Sequence, residues 1–177
     1  MTYYIHVFFI LFQIIIMQKN EINIPNSFDK WSIVNDNVMG GLSESNISIS
    51  ENETLIFKGR VSLDNNGGFA SVRYNAEGLK VGKDQKLKIT LIGDSKEYQI
   101  RIKPNRYLNY NYSKSFKTTN SKQTIVIPLN ELVAQFRGRK LNKGNFNYDQ
   151  IGELGILIGN KRNEEFKLEI INIELIN

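Results

Sequence analysis

From Trp31 onward, apolar residues recur at every second position in short runs divided by turn residues. A period of two makes strands, because successive side chains then point to opposite faces. Leu55, Phe57, Val61 and Leu63 share one parity, while Lys58, Arg60 and Ser62 take the other. Leu87, Ile89 and Leu91 repeat the pattern, as do Ile125 with Ile127, and Leu154 with Ile156 and Ile158. In Tyr98–Lys103 the apolar parity holds Tyr98, Ile100 and Ile102, which sends Gln99, Arg101 and Lys103 outward. Near the C-terminus Phe166, Leu168 and Ile170 give way to Ile171, Ile173 and Leu175, a change of parity that predicts a β-bulge. Turn signals fall at Glu77-Gly78, Val81-Gly82, Gly93-Asp94 and Asn142-Lys143-Gly144. Only Leu129 to Phe136 reads as helical, over barely two turns. Many short, one-sided strands predict an all-β fold of two packed antiparallel sheets.

Two paired-glycine turns punctuate the first half of this pattern. Gly40-Gly41 follows Asp36, and Gly67-Gly68 follows Asp64. Glycine accepts φ > 0 and lets other groups pass close to the backbone, so hairpin turns are expected at both. Asp36 is expected to form a buried ion pair with Arg73 that joins the two turns. Trp31, Phe57, Phe69 and Phe166 are expected to anchor the core.

Composition removes several chemistries. The chain has no cysteine, which excludes disulfides, thiolate metal sites and cysteine nucleophiles. Its one histidine, His6, lies in the hydrophobic start, so the domain that follows has no imidazole for a Ser-His-Asp triad or a common zinc site. Hydrolysis would need paired carboxylates, from among Asp36, Glu44, Asp64, Glu77 and Glu153, and Asp36 and Asp64 read more naturally as turn residues. No enzyme activity, metal or other cofactor is expected, although Asn35, Asp36 and Asn37 supply the oxygen ligands that calcium prefers. The net charge of +5 is spread out, with a denser patch at Arg137, Arg139, Lys140 and Lys143. Basic residues interleave with aromatics in the stretch from Arg101 to Lys114, but no recognised nucleic-acid motif accompanies them, and no nucleic-acid partner is expected.

The N-terminal residues 1–17 form a hydrophobic leader, apolar from Tyr3 to Met17 except at His6 and Gln13. It has the length of a signal-peptide core but lacks a preceding Lys or Arg and a small-residue cleavage site. Two readings stay open: a leader that exports or tethers the protein, or translation that begins at Met17 and leaves it cytoplasmic. Residues 18–27 read as a polar connector and 28–177 as one sandwich domain.

The ordered set of short motifs is specific. Trp31–Ser43 (WSIVNDNVMGGLS) and Phe57–Arg73 (FKGRVSLDNNGGFASVR) resemble the signature of the complex I intermediate-associated protein 30 family. Gly93-Asp94 ahead of Tyr98-Gln99-Ile100, Tyr112 ahead of Phe116, Ile127-Pro128-Leu129, and Phe136-Arg137-Gly138-Arg139 follow in order. Ile151-Gly152 to Ile158 and Phe166–Ile170 complete the set, so the resemblance runs from about Phe28 to Ile176. It implies a galactose-binding-like jelly-roll sandwich and a chaperone-like role in assembling the membrane NADH dehydrogenase. The absence of an Arg- and Ser-rich leader suits a bacterial-type member better than a mitochondrial one. The implied partner is a protein, held by a face that includes Arg101, Lys103, Tyr107, Tyr110, Arg137 and Arg139. Related sandwiches serve as carbohydrate-binding modules, which keeps a glycan on an exported protein as the alternative. The sequence leaves the oligomeric state open.

Overall fold

A computed structural model describes residues 21, 22 and 24–177; the hydrophobic leader 1–17 and residues 18–20 and 23 of the connector lie outside the described residues. Among the described residues, twelve strands form two sheets in which every pairing is antiparallel. The seven-stranded sheet runs, in spatial order, β1 (Trp31–Ile33), β4 (Ala70–Lys80), β11 (Gln150–Ile158), β6 (Glu97–Lys103), β7 (Asn111–Lys117), β9 (Val133–Phe136) and β10 (Arg139–Lys140). The five-stranded sheet runs β2 (Glu44–Ile49), β3 (Leu55–Val61), β12 (Glu164–Ile176), β5 (Lys86–Ile92) and β8 (Lys122–Pro128).

The alternation read from the sequence sets which side chains meet between the sheets. Phe57, Ile89, Leu91, Leu168 and Ile170 from the smaller sheet are buried in one cluster with Val72, Ile100, Ile102, Leu154 and Ile156 from the larger. Trp31 stacks on Tyr74 with ring centroids 5.0 Å apart, and Phe57 meets Phe166 at 4.7 Å. Phe69 is only half-buried, so three of the four expected aromatic anchors sit in the core. Burial of this continuous apolar layer is what holds the two sheets together.

Three local features refine the expected strand pattern. The parity change in β12 is a bulge: its register against β5 shifts between Ile170 and Asn172. Glu77-Gly78 does not end a strand. Both residues have positive φ, 49° and 78°, and they form an irregularity within β4 opposite Gly152. Leu129 to Phe136 is not a helix either. Leu129–Glu131 is a single 3₁₀ turn, and the chain then extends as β9 to pair with β7. Eight residues nucleate a helix poorly in water, whereas the open edge of β7 offers a ladder, and Leu132 and Ala134 bury fully beneath it.

Candidate functional site

Both glycine turns are built around one carboxylate. Asp36 is buried, at 1% exposure, and accepts four hydrogen bonds. Oδ1 accepts the Ser43 backbone N–H at 2.9 Å. Oδ2 accepts the N–H of Gly68 at 2.6 Å and of Phe69 at 3.1 Å, together with the Ser43 hydroxyl. The glycines make room for it. A Cβ on Gly41 would overlap the Asp36 carboxyl group, and one on Gly67 would lie 2.7 Å from Oδ2. Gly40 and Gly68 supply the left-handed backbone, with φ of 89° and 137°. Burial pushes the Asp36 carboxyl up, but the donors from Ser43, Gly68 and Phe69 outweigh it and hold the group below its ordinary range.

This arrangement replaces the ion pair expected between Asp36 and Arg73. Arg73 reaches Glu153 instead, with Nη1 to Oε1 at 3.7 Å. Four donors satisfy a buried carboxylate as well as a guanidinium does, without burying a second charge. Asp64 has a smaller role at the second turn: it is exposed and accepts the Ser62 hydroxyl at 3.0 Å. Of the loop oxygens considered for calcium, Asn35 Oδ1 accepts the Ser45 hydroxyl at 2.8 Å and the Asp36 carboxylate accepts the donors described above.

The turns form one wall of a groove on the outer face of the seven-stranded sheet, with a cavity volume of about 460 Å³. Strand register assembles the sheet beneath it, where a smaller cavity of about 30 Å³ shares Arg73, Arg101 and Lys103 with the groove. Arg73 of β4 lies opposite Gly155 of β11, Gly155 opposite Arg101 of β6, and Arg101 opposite Ser113 of β7. Gly155 therefore leaves an open slot between two arginines. Its neighbours would be in ordinary contact with a Cβ, at 3.4 Å or more, so the glycine creates space here and is not required by crowding. One row further along, Glu153 lies opposite Lys103 and holds Lys103 Nζ and Arg73 Nη1 at 3.7 Å each.

Arg101 differs from its neighbours. Its Nε donates to Gln99 Oε1 at 2.6 Å, and among the described residues no carboxylate pairs with its guanidinium. Burial, with Arg73 beside it, pulls its pKa down to about 10. On β7, Ser113 Oγ and Asn111 Oδ1 are buried and have no hydrogen-bond partner among the described residues. Asn111 also lines the groove.

The expected binding face separates into two parts. Arg101, Lys103 and Arg137 line the groove together with Arg73, which had been expected to join the turns. Tyr107, Tyr110 and Arg139 do not line it. Tyr107 projects from the loop after β6, 85% exposed, with the Arg106 guanidinium 5.7 Å from its ring. Tyr110 packs edge-on against Tyr112 at 5.7 Å beneath Lys143. Arg139 is exposed on edge strand β10. What the sequence left unassigned is an apolar lip: Val38, Met39 and Phe136 line the groove and are 67%, 57% and 41% exposed. Met39 sits inside the first glycine turn, and the run Val38-Met39 before Gly40 was its one sequence signal.

The model of the complex I intermediate-associated protein 30 family matches residues 20–170, and the chain belongs to that family. Among solved structures it resembles the family 11 carbohydrate-binding module from Clostridium thermocellum in complex with a beta-1,3-1,4-mixed-linked tetrasaccharide. The match has 16% identity and a TM-score of 0.65, over 89% of this chain and 95% of that one. The family 11 module of a cellulosomal cellulase from the same organism matches with the same identity and TM-score, over 89% and 94%. An exo-beta-agarase matches with 8% identity and a TM-score of 0.54, over 89% of this chain and 25% of the agarase. These likenesses establish the jelly-roll, galactose-binding-like fold. No curated protein matches the chain.

Proposed function

We propose that this member of the complex I intermediate-associated protein 30 family is a non-catalytic docking domain that holds a protein partner in the groove of its seven-stranded sheet. The observation that carries this reading is the exposed apolar lip of Val38, Met39 and Phe136 beside a polar floor. Flexible and aromatic apolar groups next to arginines are the residue types enriched where proteins meet. The family supports a partner among the assembly intermediates of respiratory complex I. The carboxylates at the groove are committed to other work. Asp36 is occupied by four donors and Glu153 by two cations, which leaves neither as a free acid or base.

The fold of the carbohydrate-binding modules supports a second reading, a glycan ligand in the same groove. A glycan platform needs flat, exposed aromatic faces. Of the expected tyrosines, Tyr110 packs against Tyr112 and Tyr107 lies outside the groove. The test is recovery of partners by the tagged full chain from native membrane and soluble fractions, read by mass spectrometry beside Met39→Asp, with a glycan array in parallel. Respiratory-chain subunits that survive a moderate salt wash with wild type and are lost with Met39→Asp support docking at the lip. Glycan binding without protein recovery would overturn it in favour of the second reading.

A further inference from the structure

We propose that the groove holds a carboxylate-binding site, centred on Arg101, that selects an acidic peptide segment of the partner. The inference rests on the docking reading above and names the chemistry of what docks. Two observations converge on it. First, the Arg101–Gln99 bond fixes the guanidinium through Nε and leaves its two terminal nitrogens without an acceptor among the described residues. That edge is the fork that grips a carboxylate with two parallel hydrogen bonds. Second, Gly155 leaves a small cavity of about 30 Å³ between Arg73 and Arg101, which shares Arg73, Arg101 and Lys103 with the groove and keeps the arginine edges open to it.

Charge favours an anion. Arg73, Arg101, Lys103 and Arg137 surround the groove, and the Glu153 carboxylate is shared between Arg73 and Lys103, which leaves Arg101 uncompensated. The apolar lip distinguishes a peptide from a uronic-acid polymer. Val38, Met39 and Phe136 suit the apolar side chains that flank an acidic residue, whereas a sugar acid would bring hydroxyls to them.

The direct test is fluorescence anisotropy of the full chain with a labelled peptide of alternating Glu and Leu, its Gln-for-Glu counterpart, and hexagalacturonate. The Glu peptide is expected to bind at least about tenfold tighter than the Gln peptide, a difference of about 1.4 kcal/mol. Arg101→Gln and Gly155→Val should each remove that preference. Lys122→Gln, an exposed cation on the other sheet, should retain it and so controls for net charge. Gly155→Val keeps every charge, so loss of binding there is not a simple charge effect. Equal affinity for the Glu and Gln peptides, or an unchanged preference in Arg101→Gln, overturns the inference. So does tighter binding of hexagalacturonate than of the Glu peptide, which would assign the site to an acidic glycan. The docking reading fails separately. If Arg101→Gln still recovers the partner from membranes while Met39→Asp does not, docking stands and the carboxylate site falls. If neither variant changes recovery, docking in this groove falls.

Discussion

The Asp36 carboxylate accepts the backbone N–H of Gly68, 32 residues on in the chain, at 2.6 Å, and so joins the two glycine turns. Three further donors complete the cage, and none of them carries a charge. Replacing Asp36 by Ala leaves the amides of Gly68, Phe69 and Ser43 without their acceptor at the half-buried wall of the groove. A loss of about 3 kcal/mol is expected, or a fall in Tm of roughly 6–12 °C for a domain of this size. Urea and thermal unfolding of the two proteins would show it, and an unchanged midpoint would mean the cage contributes nothing.

The same cage makes stability depend on pH in the acid range. The folded Asp36 carboxyl titrates below its ordinary value of 3.8. A depressed folded pKa contributes stability that is fully present above the unfolded value and lost as pH falls through the folded one. The stability gap between wild type and Asp36→Ala should therefore be constant near neutral pH and narrow below about pH 4. Urea midpoints of both proteins measured from neutral to strongly acid pH test this, and a gap that widens in acid contradicts it.

Gly41 and Gly144 separate crowding from chain flexibility. A Cβ at Gly41 overlaps Asp36, whereas one at Gly144 meets nothing within 4 Å. Gly41→Ala is expected to cost about 1–3 kcal/mol, while Gly144→Ala stays within about 0.5 kcal/mol of wild type. Comparable unfolding midpoints for the two variants would remove the steric account of the paired glycines.

Asp94 ties the two sheets at the turn between β5 and β6. Its Oδ1 accepts the Tyr98 hydroxyl of β6 at 3.1 Å, and its Oδ2 accepts the backbone N–H of Lys167 on β12 at 2.9 Å. Tyr98→Phe removes one neutral donor and should cost about 1 kcal/mol. Asp94→Ala removes the acceptor for both strands and for Lys96, and should cost more than Tyr98→Phe. The order of the two thermal midpoints is the check.

What could be read in advance, and what could not, follows from the range of each interaction. Strand parity is local, so the outward direction of Gln99, Arg101 and Lys103 on β6 was legible from six residues. The paired glycines marked turns but not the hairpins expected there. Strands β1 and β2, like β3 and β4, lie in different sheets, so each turn crosses between sheets, and the shared purpose of the glycines did not show. The partners of Asp36 are backbone amides, which carry no residue identity, so charge pairing pointed to Arg73 instead. The row from Arg73 through Gly155 and Arg101 to Ser113 draws on four strands, and no spacing within one segment encodes it. Leu129 to Phe136 was misread for the converse reason. Its composition suits a short helix, and only the free edge of β7 decides for a strand.

The central claim is that the groove of the seven-stranded sheet is where a partner binds, and Gly155→Val tests it most directly. The substitution places a β-branched residue, which suits a strand, into the slot between Arg73 and Arg101 and leaves every charge in place. Partner recovery by the tagged full chain from native membranes should be lost in this variant, at an unchanged Tm. Recovery equal to wild type both with the slot filled and in Met39→Asp would contradict the account and move the binding face elsewhere on the molecule.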